Sequence, residues 1–405
     1  MTLDSKPEVA RYVHDELVAA GAEPWFLDLS LRGHDLAPAS LRARRPLDPA
    51  SDAFAAMTAE PRAEATELMI DAAAPMLRAA FESGELSGVI GVGGANGSTM
   101  ACGLMRGLAP LIPKVMVTPV AATAAVQWYV AQSDIVMFPT IGDISLNRVT
   151  RGILGNAAQA IAGMSRAHAA RRRQDAPAIP LIGISTFGNL QPAVDRMTAS
   201  LEATGSEVIH FHASGPGGKA LESLTQAGEL AGLIDLTTSE LVDHINGGVY
   251  SAGPERMSAA ATTGLAQVVV PGCLDFTNWW VGAVPARFRD REFYRYNQEI
   301  LLMRTNADEF SQLAEMFVER LAAAAGPYTV LIPTRGFSQM TAFPTQNLDG
   351  EEVGAWAQPQ CDDVFTASLK AGLPADRLIE VDLHINDPAF ADRAVLELNA
   401  LGAAV

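Results

Sequence analysis

The chain has 405 residues, 49% hydrophobic and 19% charged, which supplies apolar material for two or three packed cores and excludes a disordered chain. Its 46 acidic residues outnumber 29 basic ones, and the formal net charge of −17 excludes nucleic acids and anionic membranes as partners. No signal-peptide pattern opens the chain and no apolar run reaches the roughly 18 residues a membrane helix needs, so the expected compartment is the cytoplasm.

Apolar periodicity alternates between helical and strand-like from end to end, as in βαβ units. Val9, Val13 and Leu17 mark a first helix; strand-like residues 25–29 follow, then an Arg- and Pro-rich loop. A long helix comes next, with Leu68, Met69, Ala72, Met76 and Phe81 on one face. Strands over 88–92, 114–117 and 134–138 and a helix over 146–171 complete a first half. Residues 174–180 read as a connector, and the basic run Arg171-Arg172-Arg173 as its solvated flank. Strands at 181–185, 208–212, 233–236, 267–270, 329–332 and 378–381 restart the pattern. The expected fold class is α/β, with two Rossmann-like subdomains, 1–176 and 177–405, each a mainly parallel sheet flanked by helices.

Two glycine-rich turns stand between a strand and a helix. The first is Gly91-Val92-Gly93-Gly94-Ala95-Asn96-Gly97-Ser98-Thr99. Glycines let backbone pass close to phosphate oxygens, and a helix N-terminus offers free N–H groups at a positive dipole end. Gly93, Gly94, Gly97, Ser98 and Thr99 are therefore candidate phosphate ligands; the competing reading is a turn that needs glycine for packing alone. The spacing departs from the dinucleotide fingerprint, and the following strand ends Val117-Thr118-Pro119 without the acid that would hold a ribose, which disfavours NAD.

The second turn is His212-Ala213-Ser214-Gly215-Pro216-Gly217-Gly218-Lys219. It is not a P-loop, because Ala213 and Ala220 stand where that motif has glycine and a Ser/Thr. His212, Ser214, Gly215, Gly217, Gly218 and Lys219 are candidates for holding another part of the ligand. His210 and His212 share a strand face and read as a packed or hydrogen-bonded pair near the site rather than a metal pair. Asp143, Asp235 and Asp275 at strand ends are candidate Mg²⁺ carboxylates. His384 and Asp387, after a late strand, are candidate general bases, with Asp387 before Pro388 equally a helix N-cap. Trp279-Trp280 reads as a packing or interface element. The three cysteines, Cys102, Cys273 and Cys361, are scattered and odd in number, and read as small core residues.

A set of ordered segments carries a resemblance over essentially the whole chain: Thr2-Leu3-Asp4-Ser5-Lys6, the 91–99 turn, Asp143-Ile144-Ser145-Leu146-Asn147-Arg148, the 211–218 turn, Asp235-Leu236-Thr237-Thr238-Ser239-Glu240-Leu241, Ser251-Ala252-Gly253-Pro254-Glu255-Arg256 and His384-Ile385-Asn386-Asp387-Pro388. These resemble the Tm-one-like ATP-binding domain family, named for a plant protein of tomato mosaic virus resistance. The resemblance implies two Rossmann-like subdomains and ATP binding, with Asp4 and Lys6 joining the glycine turns. It also implies a separate partner protein, a TIM barrel similar to phosphoenolpyruvate hydrolases. Family members begin with a hydrophobic strand before this first segment; here the chain starts at Met1, without that strand and with Pro7 in place of a glycine.

The sequence thus predicts an ATP- and Mg²⁺-dependent enzyme acting on a small metabolite, such as a small acid, at a cleft between the subdomains. The alternative is a nucleotide-responsive module that binds and inhibits a protein partner without turnover. Homo-oligomers are expected, since large α/β proteins often form two-fold dimers.

Overall fold

The computed structural model describes residues 1–31, 41–172 and 179–403. Of the expected connector only residues 179 and 180 are described, and Arg173 of the basic run lies outside the described residues. The chain divides into two compact units, Met1–Ala176 and Pro177–Val405. No helix among the described residues is long and apolar enough to cross a membrane.

The first unit runs α1 (Pro7–Ala19), β1 (Phe26–Leu27), β2 (Ala43–Arg44), α2 (Asp52–Ala59), α3 (Arg62–Glu82), β3 (Val89–Val92), α4 (Ala95–Arg106), β4 (Lys114–Thr118), α5 (Val126–Val130), β5 (Val136–Pro139) and α6 (Arg148–Arg172). Strands β3, β4 and β5 form a parallel sheet in that order, and β1 pairs with β2 in a separate parallel pair. Side-chain alternation along the strands decides the layers. Val115 and Val117 pack toward α1 and α6 with Val9, Val13, Leu154 and Ile161, whereas Met116 faces α4 with Ala101 and Met105.

The second unit runs β6 (Leu181–Thr186), α7 (Gln191–Ala203), β7 (Glu207–His212), α8 (Pro216–Gln226), β8 (Gly232–Thr237), α9 (Glu240–Asn246), α10 (Ala259–Thr263), β9 (Gln267–Gly272), β10 (Phe276–Trp280), β11 (Phe293–Arg295), β12 (Ile300–Arg304), α11 (Ala307–Ala322), β13 (Tyr328–Pro333), β14 (Pro344–Gln346), β15 (Glu352–Ala355), α12 (Pro359–Gly372), β16 (Leu378–Val381) and α13 (Pro388–Ala400). Its main sheet is parallel, in the order β16-β13-β9-β8-β6-β7. Alternation again sorts the residues: Val268 and Val270 pack with helices α7 and α13, and Val269 with Phe310 and Phe317 of α11 and Phe365 of α12. An antiparallel sheet, β10-β12-β11-β14-β15, was not foreseen from the sequence. It is joined to the parallel one through buried Asp275, which accepts hydrogen bonds from Ser338 Oγ and Trp356 Nε1, both at 2.7 Å. Trp279 is buried in β10 and Trp280, its neighbour, is exposed.

A buried ion cluster closes the carboxyl end of the main sheet. Arg256, fully buried, donates to both oxygens of Asp235 on β8 (2.7 and 2.6 Å), to Glu240 Oε2 on α9 (2.7 Å), to Glu222 on α8 (3.3 Å) and to the Thr237 carbonyl. Three carboxylates on one guanidinium leave negative charge over, and backbone N–H groups absorb it: Gly215 and Gly218 donate to Glu240, while Met257, Ser258 and Ala259 donate to Glu222. Burial works against the Arg256 charge, yet Asp235, Glu240 and Glu222 hold its pKa well above the ordinary arginine value. Burial pushes the Glu240 carboxyl up, against the pull of Arg256 and the two glycine N–H groups.

Next to the cluster, burial raises the Asp243 carboxyl to about 7, despite hydrogen bonds from Asn278 and the Tyr250 N–H. Because this pKa is higher in the folded than in the unfolded chain, the native state binds the extra proton between pH ~4 and ~7. Stability therefore falls as pH rises through that window and levels off above it, by at most about 1.4 kcal/mol per pH unit from this group. Urea unfolding of Asp243→Asn should show a shallower decline over the same window; an unchanged slope would remove Asp243 as its source. Replacing Arg256 with methionine strands two buried carboxylates, Asp235 and Glu240, beside the part-buried Glu222, and should cost about 3–5 kcal/mol in the same assay. A loss below about 1 kcal/mol would show that the cluster does not hold the second unit together.

Candidate functional site

The sequence offers two glycine turns, and the structure gives them different surroundings. In the second, the N–H groups of Gly215 and Gly218 both point at Glu240 Oε1, at 2.7 and 3.1 Å. An internal carboxylate thus occupies the position at the N-terminus of α8 where an external anion would sit. The glycines themselves answer to packing. A Cβ on Gly217 would lie 1.8 Å from the His212 carbonyl oxygen, and one on Gly218 would lie 2.0 Å from Glu240 Oε2. Gly215 has φ +92°, a conformation glycine adopts without strain. Ser214 Oγ turns back to the His212 carbonyl and Lys219 is exposed. His212 stacks on Phe187 with centroids 5.2 Å apart, and His210 Nε2 meets Thr198 Oγ1.

The strand-end acids also have protein partners. Asp235 belongs to the Arg256 cluster, Asp275 takes Ser338 and Trp356, and Asp143 accepts from the Ile144 N–H. Asp387 Oδ1 accepts the Ala389 N–H at 2.9 Å with Pro388 opening the helix, so it caps α13. His384 Nδ1 accepts the Asn386 N–H, which places its hydrogen on Nε2, facing the Ser338 carbonyl at 3.0 Å. Both residues are engaged in holding the loop between β16 and α13.

The first turn opens onto a cavity of about 630 Å³. Asp4, Lys6, Gly94 and Gly97, all named from the sequence, line it together with Thr2, Ser5, Asn96, Glu60 and Arg62. Two helix N-termini converge there. α4 starts from Gly94 and α3 from Pro61, and neither has a side-chain cap, so each presents unsatisfied N–H groups toward the cavity. Thr66 Oγ1 of α3 donates to Asn96 Oδ1 of α4 at 3.1 Å and ties the two ends together. Lys6 Nζ donates to the Ile144 carbonyl at 3.1 Å.

The segment carrying Asp4 and Lys6 is pinned from below. Buried Asp28 accepts the Leu3 N–H at 3.1 Å and the Ser30 hydroxyl at 2.5 Å, and Ser30 Oγ accepts the Asp4 N–H at 3.0 Å. Arg45 Nε completes the Asp28 carboxylate at 2.9 Å. Beneath the turn, buried Ser98 Oγ lies 2.7 Å from Thr118 Oγ1 and 2.9 Å from the Gly94 carbonyl oxygen, sharing its one hydroxyl hydrogen between them, which fastens α4 to the end of β4. Thr99 is exposed and returns its hydroxyl to the Ala95 carbonyl.

The glycines of this turn divide by role. A Cβ on Gly93 would sit 2.8 Å from Gly97 Cα, so packing requires glycine there. At Gly94 and Gly97 a Cβ would meet nothing within 4 Å, and neither residue has positive φ. These two side-chain-free positions face open space without a steric or conformational need for it. Sequence reasoning missed Arg62 and Glu60, since the long helix was recognised from its apolar face; Pro61, a helix-start signal, marked where its exposed N-terminus lies. A second cavity of about 370 Å³ in this unit is lined mostly by apolar side chains such as Val13, Leu17, Ile90, Leu104 and Ile161.

Comparison with known proteins places this architecture. Residues 1–170 match the N-terminal domain, and residues 179–402 the C-terminal domain, of the uncharacterised protein family UPF0261. The chain is 35% identical over 399 residues to a UPF0261 protein of Mesorhizobium japonicum, covering 96% of this chain and 95% of that one. It is 33% identical over 395 residues to a UPF0261 protein of Clostridium tetani, again 96% and 95% of the two chains. The match to the tomato mosaic virus (ToMV) resistance protein Tm-1(GCR237) of Solanum lycopersicum is 31% over 344 residues, 83% of this chain and 44% of the tomato protein. The chain belongs to the UPF0261 family and is a homologue of the tomato Tm-1 proteins.

Proposed function

We propose that the protein binds the phosphate groups of a nucleotide, ATP with Mg²⁺, in the cavity of the first unit. The observation that carries this reading is the pair Gly94 and Gly97: bare backbone with free space above it, at the uncapped start of α4 and beside the uncapped start of α3. A glycine inside a helix costs about 1 kcal/mol against alanine, so Gly97 spends stability where nothing in the fold asks for it. Convergent N–H groups and dipoles favour an anion, and Lys6 and Arg62 add formal charge. Asp4 and Glu60 on the same rim suit a magnesium ion that keeps most of its waters and bridges to phosphate. The cavity volume lies in the range of small-molecule sites.

In phosphoryl transfer the protein chiefly positions groups and offsets spread negative charge, which is what this set of residues supplies. Consumption of ATP with a small carboxylic acid, alone or with the barrel protein implied by the resemblance, identifies an enzyme. ATP-dependent capture of a protein without consumption identifies a binding module.

Calorimetric titration of ATP and Mg²⁺ into the protein tests the site. Saturable binding is expected in the wild type and a loss of at least about tenfold in affinity, roughly 1.4 kcal/mol, in Gly94→Val, whose side chain projects into the cavity. Gly94→Val should melt with the wild type, whereas Gly93→Ala, forced against Gly97, should lower the melting temperature. Equal ATP affinity in wild type and Gly94→Val, or none in the wild type, would overturn the assignment.

A further inference from the structure

The second cavity of the first unit, about 370 Å³, has the walls of a gap in a sheet. β1 and β3 both line it, with Leu17 and Ile161 from the layer of α1 and α6 and Leu77 and Leu104 from the layer of α3 and α4. Among the described residues β1 pairs only with β2, and β3 only with β4, so each strand has a side that no strand occupies. Val89 and Ile90 of β3 are only part-buried, whereas every residue of β4 is buried.

The free edge of β3 carries hydrogen-bonding groups that nothing meets. The Val89 and Gly93 N–H groups donate to the carbonyls of Pro113 and Val117 at 2.9 and 3.2 Å, so alternation turns the N–H and C=O of Ile90 and Val92 away from β4. Val92 is 3% exposed, and backbone groups so buried are nearly always paired. The indole N–H of Trp25, which also lines the cavity, is buried without a partner among the described residues. At the mouth, Met1 donates its amino group to the Leu27 carbonyl at 3.1 Å and accepts the Leu29 N–H at 2.9 Å, the bonding of a parallel ladder. Burial, opposed by Asp28, lowers that amino group to about 6, so it adds little charge at neutral pH. The other charges sit at the rim: Glu85 is held by Arg42 and Arg44, Arg166 donates to the Ala20 carbonyl, and Glu23 is exposed.

We infer that this gap binds an extended apolar segment of a separate polypeptide, about four residues long, which ends where Met1 begins and adds a strand between β1 and β3. A strand repeats its ladder groups every two residues, about 6.6 Å, which is the spacing at which Ile90 and Val92 present theirs. Helix layers on both faces require apolar side chains at every position, as in any buried parallel strand. Charge sets the flank: exposed Glu23 at the mouth, on a chain of net charge −17, favours a basic residue beside the apolar run.

Fluorescence anisotropy with a labelled peptide, Lys-Val-Ile-Val-Ile-Lys, tests the inference. Saturable binding is expected, weakened at least about tenfold for Lys-Val-Pro-Val-Pro-Lys, whose prolines remove ladder donors. Ile90→Pro, which removes an N–H that β4 does not use, should stay folded by circular dichroism and bind the first peptide at least about tenfold more weakly. A chain lengthened by Val-Ile-Val-Ile ahead of Met1 should fill the gap itself, melt at a higher temperature and no longer bind the peptide. No binding by the wild type, equal affinity for the two peptides, or undiminished binding by the lengthened chain overturns the inference. Native mass spectrometry of the protein from its own cells tests the other occupants: a chain that continues ahead of Met1, or a bound non-peptide molecule, overturns a separate strand.

Discussion

The second unit depends on one guanidinium. Arg256 lies where β8, α8, α9 and the start of α10 meet, and it satisfies a carboxylate from each of the first three. Those carboxylates in turn cap helix starts: Glu240 takes the N–H groups at the head of α8, and Glu222 those at the head of α10. Taking charges out of water is costly, and a buried ion pair is weak grounds for stability by itself. Its consequence here is geometric. Four elements are tied to one centre, and a shift of β8 or α9 would leave a buried charge unpaired.

That lock also decides the fate of the second glycine turn. In the sequence the two turns look alike, each with strand, glycines and helix in order. Nothing local reveals that Glu240, more than twenty residues downstream of Gly218, supplies the anion for one of them. The distinction became visible only from where a Cβ would go. Gly217 and Gly218 are hemmed in by His212 and Glu240, whereas Gly94 and Gly97 look into a cavity. Likewise Asp387 and His384 carry the residue types of a general base, and the structure shows them bonded into their own loop.

Most of the parallel architecture was legible because its strands are continuous apolar runs buried on both faces, as β4, β8, β9 and β13 are. The antiparallel sheet was not. β11, β14 and β15 are short, and β15 is exposed at every position, so no period of two rises above the surrounding loop. The anchor of that sheet, Asp275 receiving the Trp356 indole, joins residues 81 positions apart, a separation no window of sequence spans. In the first unit the segment holding Asp4 and Lys6 was readable as a motif, while its support by Asp28 and Ser30 was not, for the same reason.

An acidic chain that binds an anion must build positive potential locally against its own field. Formal charge alone would serve poorly here, since Lys6 and Arg62 share their cavity with Asp4 and Glu60. Peptide dipoles do not add to the net charge of the molecule, and they do not titrate. Bringing α3 and α4 together at their N-termini, stitched by Thr66 and Asn96, concentrates two such dipoles on one volume. The field is then fixed by backbone and by packing beneath it, through Ser98 and Thr118, rather than by flexible side chains that would have to be ordered on binding. In the second unit the same device is turned inward, with Glu240 as its anion, and serves the fold. One physical arrangement, a glycine turn at a helix start, thus meets an internal carboxylate in the second unit and an open cavity in the first, and the binding proposed for the first rests on that difference.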